Sequence, residues 1–163
     1  MRFETRIDID AAPDIVWSAV RDITRWPQFI ASMDTVTPLD DEPLDVGSQV
    51  RIKQPRMPAM VWLVTAWDEG KSFTWQTRSA GVLTTGLHTV APRDDGGTTL
   101  TLGIEQTGAL APLIGLLSGA RTRRYVGIEG ASLKADSEAR ASGEATPEAA
   151  DDSSDEDATT DSP

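Results

Sequence analysis

ALAPLIGLLSGARTRRYVGIEGASLKADSEAR, residues 109–140, is the stretch whose reading decides the fold. Leu110, Leu113, Ile114, Leu117, Arg121, Arg124 or Tyr125, Ile128, Ala131 or Ser132, and Ala135 recur at steps of three and four. That spacing gathers them on one face of a helix. Pro112 suits a first turn, where its missing N–H leaves nothing unpaired. Such a helix runs for about 28 residues, or ~42 Å at the α-helical rise. Helices in water owe most of their stability to packing an apolar face, so the rest of the chain must supply a surface for this one.

Upstream, the period changes from helical to two. Residues 3–9 alternate Phe3, Thr5, Ile7 and Ile9 with Glu4, Arg6 and Asp8, the pattern of a half-buried strand. Pro13 and Asp14 then open a helix carrying Ile15, Val16, Ala19, Val20 and Ile23. Pro27 interrupts it, and Trp26 to Ile30 reads as a second short helix or tight turn, with Trp26 and Phe29 tucked inward. Six further strands follow, one from Val36 onward and the others over 48–54, 59–67, 72–78, 82–91 and 98–107. Turns such as Pro92 to Gly97 separate them. One strand, two short helices, six strands and a long helix predict an α+β domain. Its expected form is one curved antiparallel sheet of about seven strands, with the helices gathered on one side.

Charge divides the chain. Residues 141–163 hold eight acids, no lysine or arginine and no large apolar side chain. Taking those eight from the formal charge of −11 leaves only −3 on residues 1–140. The expected organisation is therefore a folded domain over 1–140 and a disordered acidic tail over 141–163. No cysteine is present, which excludes disulfides, thiolate metal sites and cysteine nucleophiles. The charged start, MRFETRID, is unlike a signal peptide, and no run approaches the ~20 apolar residues of a membrane span. A cytoplasmic protein without stable membrane insertion is expected. No basic stripe suggests nucleic-acid binding.

Several local runs carry a resemblance. APDIVW (12–17), DITRWPQF (22–29), VTAWD (64–68), FTW (73–75) and the turn from Pro92 through Gly96 and Gly97 to Thr98 resemble the START-like helix-grip superfamily. That superfamily includes polyketide cyclases/dehydrases, lipid-transfer domains and birch-pollen-allergen-like proteins. The resemblance covers residues 1–140. It implies a helix-grip fold, with the sheet wrapped around the C-terminal helix and a cavity between them for a small hydrophobic or amphipathic molecule. The periodicity independently assigns an apolar concave face that includes Trp62, Val64, Phe73, Trp75, Leu102 and Ile104.

Eight residues are the expected ligand contacts: Trp62, Trp75, His88 and Ile104 on the sheet, and Leu113, Leu117, Arg121 and Tyr125 on the helix. His88 is the only histidine and the candidate general base, ligand contact or satisfied polar group. With no second histidine and no cysteine, neither a metal site nor a cofactor is expected. Arg121 either meets a carboxylate or phosphate end of a ligand, or pairs with an edge carboxylate such as Glu105. The loop Met57 to Met60 is a gate over the cavity mouth or a plain hairpin. Of the carboxylates, Glu105 alternates outward and Asp68 sits in a turn. Carriage, sequestration or sensing of the ligand is the leading expectation. One alternative is a cyclase/dehydrase-like enzyme with His88 as base and Arg121 or Tyr125 steadying an enolate oxygen. Another is an interaction module using Trp67 on the outer sheet face, with the protein a monomer or homodimer.

Overall fold

β1 (Arg2–Ile9) forms one edge of a seven-stranded antiparallel sheet in a computed structural model that describes residues 1–41 and 43–143. The acidic tail read from the sequence falls, past Gly143, outside the described residues. The other strands are β2 (Thr35–Pro38), β3 (Gln49–Lys53), β4 (Met60–Asp68), β5 (Ser72–Ser79), β6 (Val82–Pro92) and β7 (Thr98–Thr107). Their spatial order is β1-β7-β6-β5-β4-β3-β2. After the jump from β1, each strand pairs with its sequence neighbour, through loops from β2 to β4 and short turns from β4 to β7, so every pairing is local except that of β7 with β1. Two helical pieces fill the gap after β1: α1 (Pro13–Arg21), then a 3-10 turn (Ile23–Arg25) running into α2 (Trp26–Phe29). The long α3 spans Ala111–Ser142 and ends on Gly143, whose φ of 76° lets its N–H cap the carbonyls of Ala139 and Arg140.

The inner face of the sheet is apolar and is covered by the helices. Val50, Ile52, Trp62, Val64, Phe73, Trp75, Val90, Leu100 and Leu102 are buried there. Trp17 and Trp26 wedge the short helices onto it, and the Trp26 indole N–H donates to Ala19 O at 3.1 Å. The second half of α3 packs on β1, β7 and α1 through Val126, Gly130, Leu133 and Ser137. Gly130 is the point of closest approach: a Cβ there would stand 2.5 Å from Ile7 Cδ1 and 3.3 Å from Leu102 Cδ1.

Two expectations are corrected. Trp67 does not lie on the outer face. The register of β4 on β5 shifts between Val64 and Ala66, so Thr65 is an extra residue that reverses the alternation after it. Trp67 therefore pairs with Phe73 and packs edge-on against Trp17 at a ring separation of 5.2 Å. The packed face of α3 is also rotated from the one that the large apolar residues mark. Ala131 and Ala135 are exposed, while Gly130, Leu133 and Ser137 are buried. Small residues let the helix approach the sheet, and a hydrophobic period passes over them.

Glu69, in the β4–β5 turn, ties this corner together. Its carboxylate accepts from Trp17 Nε1 (2.9 Å), Trp67 Nε1 (2.9 Å) and Arg21 (2.7 Å). These donors, Trp17 foremost, hold its carboxyl below the usual glutamate value.

Candidate functional site

The first half of α3 does not close down on the sheet, and a cavity of about 410 Å³ lies between them. That volume is within the range of small-molecule sites. β3 and β4 contribute Ile52, Met60 and Trp62; β5 and β6 contribute Trp75, Thr84, Gly86 and His88; β7 contributes Leu102, Ile104 and Gln106. Gly86 is needed where it stands, because a Cβ would run into the Trp75 indole nitrogen. The missing side chain lets Trp75 lie across β6 and meet Trp62, with ring centroids 5.4 Å apart. The two indoles form one wall.

His88 stands on that wall, stacked on Phe73 at 4.2 Å with the rings within 8° of parallel. Trp26 and Trp75 hold its other sides. Its Nε2 is 2.8 Å from Glu129 Oε1, and both side chains are largely buried. Glu129 engages Nε2 and so leaves Nδ1 as the other ring nitrogen to be partnered. Nδ1 is buried and has no partner among the described residues. Gln106 Oε1 is buried and unpartnered in the same way, while its amide nitrogen reaches Thr84 Oγ1 at 3.5 Å. Both residues border the cavity, whose walls are mainly apolar, with Thr84, Ser118 and Thr122 among the polar side chains that also line it.

Of the eight expected contacts, Trp62, Trp75, His88, Ile104, Leu117, Arg121 and Tyr125 border the cavity. Leu113 does not; it is exposed on the far side of the helix. Ile114, one residue and 100° further on, faces in, followed by Ser118, Thr122, Tyr125 and Glu129. The cavity side of α3 is thus more polar than its large apolar residues suggest. Arg121 is exposed at the rim and makes no ion pair with Glu105. The Tyr125 hydroxyl donates to Pro55 O at 2.7 Å, tying α3 to the β3–β4 loop. Met57 and Pro58 of that loop line the cavity. Neither Glu105 nor Asp68 takes part, Asp68 being paired with Lys71 in its turn.

Glu129 is a cavity-lining residue that sequence reasoning missed. Its signal was present: it is the only acid between Gln106 and Leu133, set among Ile128, Gly130 and Ala131. Among the described residues no cluster of three metal-ligating side chains occurs, and no helix is long and apolar enough to cross a membrane.

A family model described as polyketide cyclase / dehydrase and lipid transport matches residues 1–135. The chain belongs to that family. The polyketide cyclase/dehydrase and lipid transport match covers every element up to the packed end of α3. Solved structures repeat the fold at low identity. The Zhui aromatase/cyclase from a Streptomyces species superposes with a TM-score of 0.71 at 15% identity, over 86% of this chain and 94% of that one. A norcoclaurine synthase point mutant from Thalictrum flavum, in complex with a transition state analogue, gives 0.67 at 10% identity, over 83% and 92%. A hypothetical protein of Helicobacter pylori gives 0.70 at 12%, over 83% and 86%. At such identities these likenesses bear on the fold alone. A comparison with curated protein sequences finds no match.

Proposed function

We propose that the protein binds a small, mainly apolar molecule with one or two polar groups, for carriage, sequestration or sensing. The observation that carries this reading is the cavity of about 410 Å³, with mainly apolar walls and a few polar side chains such as Thr84, Gln106 and Ser118 at its border. Protein interiors are normally close-packed. A bound molecule would resolve that departure. The test is titration with the fluorescent probe 1-anilinonaphthalene-8-sulfonate, alongside native mass spectrometry of the purified chain. Ser118→Phe places a ring in the cavity from the helix side. Saturable probe binding that weakens about tenfold or more in Ser118→Phe is expected, since the ring takes the probe's place. Equal affinity in both proteins would remove the cavity from the argument.

One observation favours a second reading, a cyclase/dehydrase-like enzyme. His88 is oriented by a buried carboxylate, the arrangement that readies an imidazole as a general base. Tyr125 is less free for an enolate oxygen, since its hydroxyl is engaged by Pro55. Dehydration of a β-hydroxyketone by the purified protein, reduced ~10²–10⁴-fold in His88→Gln, is the result this reading requires. Unchanged probe affinity in the same variant, with no turnover in either protein, returns the assignment to carriage.

A further inference from the structure

We propose that the first half of α3 docks on an anionic membrane surface. Leu110, Leu113, Leu116 and Leu117 stand out from it with exposures of 47%, 53%, 83% and 77%. Contiguous apolar side chains of this size mark an interaction site when they are left open to water. Their direction is set by the opposite side of the helix, where a Cβ at Gly115 or Gly119 would meet the Met1 side chain at 3.2 Å. That side rests on the start of the chain, so Leu113, Leu116, Leu117 and Ala120 face solvent.

One turn further on, Arg121, Arg123 and Arg124 are exposed and form no ion pair among the described residues. Arg56, also exposed, borders the cavity from the β3–β4 loop. No acid occurs from Gln106 to Ile128, in a chain whose formal charge is −11. At a Debye length of ~10 Å it is this local sign that an approaching surface meets. Leucines beside arginines on one helical surface match a lipid interface, where the apolar side chains sink below the headgroups and guanidinium groups meet phosphates. A second copy of the chain fits less well, because pairing over the leucines buries them and supplies the arginines with no acid from the same stretch of helix. An acidic partner protein would satisfy the arginines and leave the leucines in water. The docking stands whether or not the cavity holds a ligand.

The test is co-sedimentation of the full chain with phosphatidylcholine vesicles, with and without phosphatidylglycerol. Binding about tenfold or more tighter on the anionic vesicles is expected, weakening as salt is raised. Leu113→Ser with Leu116→Ser, neither of which lines the cavity, should weaken it about tenfold. Arg123→Gln with Arg124→Gln should weaken it roughly fivefold for each arginine. All four side chains are at the surface, so unchanged melting curves serve as the folding control, and the arginine pair carries the test alone if the serine pair melts early. Absence of binding to anionic vesicles overturns the proposal. So does binding that ignores the leucines and follows only the arginines, which reduces it to charge attraction with no apolar docking. A dimer that the serine pair dissolves also overturns it, in favour of a second copy.

Discussion

His88 and Glu129 hold each other in place. The imidazole is enclosed by Phe73, Trp26 and Trp75, and Glu129 is its one hydrogen-bond partner among the described residues. Glu129→Ala leaves a buried ring nitrogen without a partner, at an expected cost of about 1–3 kcal/mol in urea unfolding. Glu129→Gln keeps an acceptor in place and should lose less; equal losses would show that the contact contributes little. Glu69 makes the second residue-scale prediction. Its carboxyl is held below the ordinary value of 4.5, chiefly by the Trp17 indole, then by Trp67 and Arg21. A carboxyl depressed in the folded state stabilises it above the unfolded pKa, and that stabilisation fades as pH falls through the folded one. The melting-temperature gap between the native chain and Glu69→Gln should therefore be full near neutral pH and shrink below about pH 4.5. A gap that widens on acidification would contradict the assignment. Glu69 is more than half exposed, so the whole effect is small.

At the scale of elements, the sheet depends on one strand irregularity and the helix on one glycine. Gly130→Val pushes a branched side chain onto Ile7 and Leu102 and should lower stability by about 1–3 kcal/mol through overpacking. Gly127→Val, where a Cβ meets nothing within 4 Å, is the control in thermal melts. Equal shifts in both would mean that helix propensity, not contact with the sheet, sets the cost. These two features also divide what was legible in the sequence from what was not. The strands could be read because Phe3 to Ile9 and Thr98 to Gln106 alternate cleanly, and the order of elements then leaves one topology. Trp67 was misplaced because an extra residue at Thr65 changes parity without changing composition. Seven of the eight expected contacts border the cavity because strand alternation sorted Trp62, Trp75, His88 and Ile104 reliably. On α3 the period was right and the phase was wrong. Its closest contacts are made by glycine and serine, which carry no apolar signal, so the apolar period includes Leu113 beside Ile114 and passes over Glu129.

The whole molecule is a firm half joined to an open half. The lower part of α3, with α1, β1 and β7, encloses buried side chains such as Leu133, Ile9 and Val16. The upper part leaves the cavity between Trp62, Trp75 and the helix, and its outer leucines face water. Among the described residues one hydrogen bond joins α3 to the β3–β4 loop at the opening, from the Tyr125 hydroxyl to Pro55 O. On the proposed function its consequence is kinetic. For a guest that enters between helix and loop, the bond acts as a toll on traffic in both directions and leaves the destination equally attractive. Tyr125→Phe keeps the ring and removes the toll. In stopped-flow mixing with the same fluorescent probe, entry and exit should quicken together while their ratio barely moves. A change in exit alone would place the hydroxyl among the groups that grip the guest.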